Sequence, residues 1–212
     1  MRDNYFKAII FDLGNVLIDF DHTIAARKIS SLTTRTPKEI FNLFFDSELT
    51  GLFEEGKISP QGFHSEVKKI LNLELNYVDF LPIWNEIFFF TPENRSVYNL
   101  AKALKNHYKI ALLSNINILH FEYLKNNFSV FDAFDHIIAS FEVGFKKPHP
   151  LIYQEALGKL GVLPQEVFYA DDRAELVEKA SELGITSFCF EGIDKLNEDL
   201  LSVGINKNKL KI

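Results

Sequence analysis

A single cysteine, Cys189, stands among 212 residues. The chain therefore closes no internal disulfide, and a reducing compartment is expected. That cysteine lies in the apolar run TSFCF, which reads as a small core side chain and not as a catalytic thiol. Long hydrophobic runs are missing as well: stretches such as IFFF at 87 to 90 fall far short of the roughly 20 residues a membrane span needs. The N-terminal MRDNYFKAIIFD lacks a signal-peptide layout, because its apolar run is short and ends in Asp12. Together these absences predict a cytoplasmic protein. Positive charge is also scarce, since 23 Lys and Arg against 29 Asp and Glu leave a formal net charge of −6. Such a chain has no broad basic face for nucleic acid or an anionic membrane. One small anionic ligand held by a few local donors stays open. There is no GxxxxGKS/T loop, no GxSxG elbow, and no zinc-ligand spacing among the histidines. No repeat appears, and nothing in the pattern fixes an oligomeric state.

What the chain has is a series of short apolar, β-rich runs at 6–11, 109–113, 136–139, 167–170 and 186–190, with helical patterns between them. Thr91-Pro92-Glu93 opens a helix running towards His107, with an N-cap and a first-turn proline. Leu151 to Leu160 stops at Gly161, and Ala174 to Leu183 stops at Gly184, both suited to left-handed C-caps. Continuous apolar strands alternating with helices predict an α/β fold: a doubly wound, Rossmann-like parallel sheet covered on both faces. From about 17 to 89 no strand pattern appears, only helical ones. That interval far exceeds the dozen or so residues a crossover requires. Residues 17–89 are therefore expected to form a helical cap domain inserted into a core of residues 1–16 and 90–212.

In open α/β sheets, ligands bind at the carboxyl ends of the strands. The first run ends in Asp12, the second in Ser114-Asn115, and the 167–170 run in Asp171-Asp172. The loop after 136–140 carries Lys146 and Lys147. Taken singly, an Asp after a strand is a turn or cap residue, Ser-Asn is a helix cap and Lys-Lys-Pro is a solvated loop. Two adjacent carboxylates closing an apolar strand are harder to account for, because they repel unless a cation relieves them. All of these groups fall at one edge.

The segments FDLGNVLIDFD, LLSN, GFKKPHPLIYQEAL and FYADDRAELVEKASELG resemble, in order, the four motifs of the haloacid dehalogenase-like hydrolase superfamily. The resemblance covers nearly the whole chain, helical cap included. It is strongest to the bacterial branch that opens with DLGNV or DLGGV and includes a glucose-1-phosphate phosphatase; the cap segment FEEGKIS is similar too. The resemblance implies a Mg²⁺-dependent phosphatase of a small phosphorylated metabolite, with a sugar phosphate as the expected class. Asp12 would be the nucleophile and form an aspartyl-phosphate. Mg²⁺ would sit on a side-chain oxygen of Asp12, the carbonyl of Gly14 and Asp172, with Asp171 acting partly through water. Lys147, preferred to Lys146 because it directly precedes Pro148, would pair with Asp12 and the phosphoryl oxygens. Ser114 would hydrogen-bond the transferring group, and Gly14, Asn15 and Asn115 would complete the phosphate-binding set.

Gly14 is the departure. Most phosphatases of the superfamily carry an acid two residues after the nucleophile, to protonate the leaving oxygen and then activate water. Two ways out are open: an easy leaving group, as in a sugar 1-phosphate or acyl phosphate, or a proton carrier from the cap, with Asp21 and His22 nearest in sequence. Arg173 is either a partner of the acids or a surface residue. Phe20, Phe53 and Trp84 either line the leaving-group pocket or form cap core. Two rivals remain. A 2-haloacid dehalogenase needs no Mg²⁺ and leaves Asp171-Asp172 unexplained, whereas a non-catalytic binder of a phosphometabolite fits Gly14 but not the retention of Asp12, Lys147 and both acids.

Overall fold

The computed structural model describes residues 5–45 and 47–205, so the outermost ends of the expected core segments lie outside the described residues. Along the chain, β1 (Ala8–Phe11) is followed by a two-residue strand, β2 (Asp19–Phe20). Five helices come next: α1 (His22–Ser30), α2 (Pro37–Phe45), α3 (Glu48–Glu54), α4 (Pro60–Leu71) and α5 (Tyr77–Asn85). A second two-residue strand, β3 (Phe88–Phe89), leads into α6 (Pro92–Leu104) and β4 (Lys109–Ser114). Then follow α7 (Ile118–Asn127), β5 (His136–Ala139), the short α8 (Ser140–Val143) and α9 (Pro150–Leu160). The last elements are β6 (Val167–Asp171), α10 (Ala174–Glu182), β7 (Thr186–Cys189) and α11 (Ile193–Ser202).

Five strands form one parallel sheet in the order β5-β4-β1-β6-β7. Side chains alternate across it, as strand geometry requires. Ile9, Phe11, Ile110, Leu112, Phe168 and Ala170 pack in one apolar cluster with Leu100 and Leu104 of α6 and Leu196 of α11. Ala8, Ile10, Ala111, Leu113, Val167 and Tyr169 pack in another with Ile152 and Ala156 of α9 and Ala180 of α10. Both faces are covered, which is why these runs read as continuously apolar. In register, Phe11 stands beside Leu112 on one side and Ala170 on the other. The carboxyl ends of β1, β4 and β6 are therefore level, and whatever follows them meets at one place.

The segment 22–85 has an apolar centre of its own, built largely from aromatic rings. Phe53 stacks on Phe63 at 4.3 Å between centroids, and Phe44 meets the Trp84 indole edge-on at 4.9 Å. Phe53 and Trp84 are each only 1% exposed, so they fill this centre and do not line an open pocket. The interval from 17 to 89 is also not strand-free: β2 and β3 pair antiparallel where the two connecting segments run side by side. Two residues per strand are too few to leave a period in the sequence. Cys189 is only half-buried, on the outermost strand β7, and not a closed core position.

β2 is tied to the first turn of α6. Thr91 caps that helix, and Asn94 completes a capping box, its Oδ1 accepting from the Thr91 N–H at 2.8 Å. The buried Asn94 also donates from Nδ2 to Asp19 Oδ1 at 2.9 Å. Asn94→Ala removes the reciprocal half of the capping box and leaves Asp19 short of a partner, a combined cost of about 2–3 kcal/mol. Urea unfolding should show a lower midpoint with an unchanged slope.

Candidate active site

Asp12 follows β1 directly, and its N–H donates to the Ala170 carbonyl at 2.9 Å, holding it against the end of β6. Asp171 closes β6 and is fully buried. Between them lies the Lys147 ammonium, 2.6 Å from Asp12 Oδ1 and 2.6 Å from Asp171 Oδ2, with a third bond at 3.0 Å to the Leu113 carbonyl of β4. One buried cation thus ties together the ends of three strands. Lys146, its neighbour, points elsewhere and pairs with Glu54 at 3.5 Å.

Lys147 is placed by Asn115. The Asn115 side chain accepts from the Lys147 N–H at 2.7 Å and donates to the Lys147 carbonyl at 2.9 Å. Both ends of that amide are engaged, so Asn115 acts here on Lys147 and its side chain is not turned to a phosphate. Tyr169, two residues before Asp171 and on the same face of β6, donates its hydroxyl to Asp171 Oδ2. Asn15 takes a left-handed conformation (φ 55°) and donates to Asp172 Oδ2 at 2.9 Å, orienting that carboxylate. Ser114 ends β4 and is nearly buried. The Arg173 side chain pairs with Glu175, its Nε donating at 2.7 Å, while its backbone N–H donates to Asp171 Oδ1 at 3.0 Å.

Carboxylate oxygens of Asp12, Asp171 and Asp172 come within 4.8 Å of one another. Burial pushes the Asp12 carboxyl up to about 7, against the pull of Lys147 and with help from Asp171 and Asp172. Burial also raises Asp172. It works against the Lys147 ammonium, but Asp12 and Asp171 outweigh it and carry its pKa above the ordinary value. Lys147 offsets only part of this negative charge. Three hard oxygen donors short of a counter-charge fit a divalent cation such as Mg²⁺.

Around Gly14 the structure is less open than the sequence implies. A Cβ built there would lie 2.7 Å from Cε1 of Phe20, so the phenyl ring occupies the space a side chain would need. Asp21 is committed as the N-cap of α1, accepting from the Thr23 N–H and hydroxyl at 2.8 Å each. The ring of His22 packs edge-on against Phe20. Burial holds its pKa down at about 4, and its Nδ1 has no hydrogen-bond partner among the described residues. Neither residue is a ready proton donor.

A family model for haloacid dehalogenase-like hydrolases matches residues 6–184, which include every one of these groups. The chain belongs to that family. A D-ribitol-5-phosphate phosphatase of Bacteroides thetaiotaomicron is 24% identical over 188 residues, covering 86% of this chain and 90% of that one. A glyceraldehyde 3-phosphate phosphatase of Pyrococcus furiosus is 28% identical over 181 residues, covering 79% and 72%. A crystal structure of a haloacid dehalogenase family enzyme from B. thetaiotaomicron, in complex with magnesium and inorganic phosphate, superposes with a TM-score of 0.77. It shares 26% identity and covers 87% of this chain and 93% of that one. Among the described residues of this hydrolase, no helix is long and apolar enough to cross a membrane.

Glu54, paired with Lys146 on the loop that carries Lys147, is a residue that motif spacing did not bring out. It lies inside FEEGKIS, far in sequence from every strand end, and only its tertiary contacts reveal it.

Two outcomes follow from the charge balance. Lys147→Met leaves two buried carboxylates facing each other and should cost on the order of 3–5 kcal/mol at neutral pH. Because burial raises such a carboxyl in the folded state, stability falls as pH rises through that raised pKa. Denaturant melts should therefore show the deficit shrinking as pH drops from 8 towards 5. Mg²⁺ at a hundredfold excess over its Kd should stabilise the protein by about 2.7 kcal/mol. In thermal melts, Asp172→Asn should lose most of the resulting rise in Tm.

Proposed function

We propose that this hydrolase is a Mg²⁺-dependent phosphatase of a small phosphate monoester, with a phosphorylated sugar or polyol as the substrate class. The observation that carries the reading is the Lys147 ammonium held 2.6 Å from Asp12 and 2.6 Å from Asp171, beside Asp172, at the level ends of β1, β4 and β6. The phosphatase activities of the relatives support it.

Asp12 would attack phosphorus with one carboxylate oxygen, splitting the hydrolysis into formation and breakdown of an aspartyl-phosphate. Lys147 favours the ionised form of Asp12 against the burial that raises its pKa, and would present positive charge to the phosphoryl oxygens as they approach. Ser114 and the backbone amides after it, at Asn115 and towards the start of α7, would receive the remaining phosphoryl oxygens. Asn15 and Asn115 position Asp172 and Lys147. Asp12, Asp171, Asp172 and the Gly14 carbonyl would hold Mg²⁺, which supplies charge neutralisation at the phosphoryl group. The helical segment 22–85 is the part placed to select the leaving group, as a cap over the core of residues 1–16 and 90–212.

The decisive assay measures inorganic phosphate released from 4-nitrophenyl phosphate, sugar 1-phosphates, sugar 6-phosphates and polyol phosphates, with Mg²⁺ or EDTA. Turnover is expected only with Mg²⁺, and Asp12→Asn should fall to background on every ester. Release of phosphate that survives EDTA or Asp12→Asn contradicts this mechanism. Tight binding of the esters without turnover supports a phosphometabolite binder.

A further inference from the structure

Resting on the phosphatase reading, we propose that Glu54, carried by the helical segment, faces the leaving group. It would supply the proton relay that Gly14 lacks.

The space above Gly14 is filled by the Phe20 ring, Asp21 is spent on capping α1, and His22 is neutral throughout the physiological range. A neutral imidazole has no readily donated proton at pH 7, so it is a poor acid. The nearest candidates in sequence are therefore all unsuited.

Glu54 arrives from the other direction. It ends α3, and its carbonyl accepts from the Ser140 hydroxyl at 2.6 Å, while Ser140 Oγ accepts from the Ile116 N–H at 2.9 Å. Ser140 has no exposed surface, so this link pins the end of α3 to the loop after β4. The Glu54 carboxyl meets Lys146 at 3.5 Å, on the loop that carries Lys147. Gly51, one turn earlier on α3, makes room for that lysine: a Cβ there would lie 3.2 Å from its ammonium. The field of Arg173, which directly follows Asp172, also reaches Glu54. The loops after α8 and after β6 thus act on the Glu54 carboxyl, and the loop after β4 holds its backbone carbonyl through Ser140. They are the same three loops that bring Ser114, Lys147 and Asp172 to the site.

The Glu54 side chain is 25% exposed, enough to meet a ligand. Burial lifts its carboxyl above the ordinary range despite Lys146 and Arg173, with Glu55 adding to the rise. Glu55 is itself paired with Lys57 at 2.8 Å. A carboxyl raised in this way keeps a larger protonated fraction near neutrality, as a general acid requires.

The chemistry balances over two steps. As an Asp12 oxygen bonds to phosphorus and the phosphorus–oxygen bond to the leaving group breaks, the Glu54 proton passes to the departing oxygen, giving the alcohol. Water then attacks the aspartyl-phosphate and loses its proton to the Glu54 carboxylate. The phosphorus–Asp12 bond breaks, freeing phosphate and restoring both carboxyls.

The test is the dependence of kcat/KM on leaving-group pKa, using 4-nitrophenyl phosphate, phenyl phosphate and glycerol 2-phosphate. Glu54→Gln keeps the side-chain size and the Ser140 bond, so folding should be retained, with circular dichroism as the check. It should lose roughly 10²–10⁴-fold on the poor leaving groups and far less on 4-nitrophenyl phosphate, steepening the dependence. Glu54→Asp should restore part of the loss, and Lys146→Met should keep the wild-type slope. Equal losses on all three esters, shared by Lys146→Met, would show a purely ionic latch between α3 and the core and overturn the proposal. A wild-type protein inactive on every ester, or an active Asp12→Asn, would instead overturn the phosphatase reading beneath it.

Discussion

Everything at the site depends on one ammonium group buried between two carboxylates. Lys147 brings Asp12 and Asp171 together from two different strands, with a further bond to the Leu113 carbonyl of the third. An ion pair buried this completely is costly to desolvate and holds only where its other hydrogen-bonding capacity is filled. The surroundings meet that condition: Asn115 grips the Lys147 backbone at both polar groups, and Tyr169 donates to Asp171. With Asp172 beside them, three carboxylates face one lysine. Lys147 offsets one negative charge, and a divalent cation offsets the other two. The same imbalance that strains the protein alone makes the site receptive to Mg²⁺.

The level strand ends are what make this possible, and they follow from sheet register. Ile10 and Tyr169 lie on the same face of the sheet, so Asp12 and Asp171, two residues later on each chain, emerge on that face too. Asp172 falls on the opposite parity, which is why it needs Asn15 to aim it. Asn15 reaches it from a left-handed turn right after Gly14. Asn tolerates that conformation better than most side chains. The DLGN run is thus a strand end, a close approach and a turn in four residues.

That much was legible from sequence, because apolar period, strand-end chemistry and turn residues are all local signals. The five core strands lie within a residue or two of where the runs place them, and Lys147 rather than Lys146 enters the site. What local signals do not show are contacts between distant segments. The side chains of Asn15 and Asn115, expected in the phosphate-binding set, hold Asp172 and Lys147. Asp21, a proton-carrier candidate by its nearness in sequence, caps α1. Trp84, which the sequence leaves between pocket lining and cap core, stacks on His120 at 4.8 Å and lies among phenyl rings. The β2–β3 pair escaped notice because two residues cannot show a period. In each case the residue type was read correctly, and its partner, set by tertiary structure, was not visible.

Gly14 is where the two kinds of information meet. From sequence it is a missing acid. In the structure it is also a site that cannot simply be refilled, since Phe20 has taken the space. Phe20 leads directly into α1 and meets His22 and Phe88 edge-on. The ring over Gly14 is therefore part of the joint between the sheet and the helical segment. A proton donor at position 14 would ride on β1 and stay fixed relative to Asp12 whatever that segment did. A donor at Glu54 depends instead on α3 being seated against the core, through Ser140 and Lys146. With the acid on the helical segment and not on the sheet, proton transfer would depend on the contacts that seat α3 against the core.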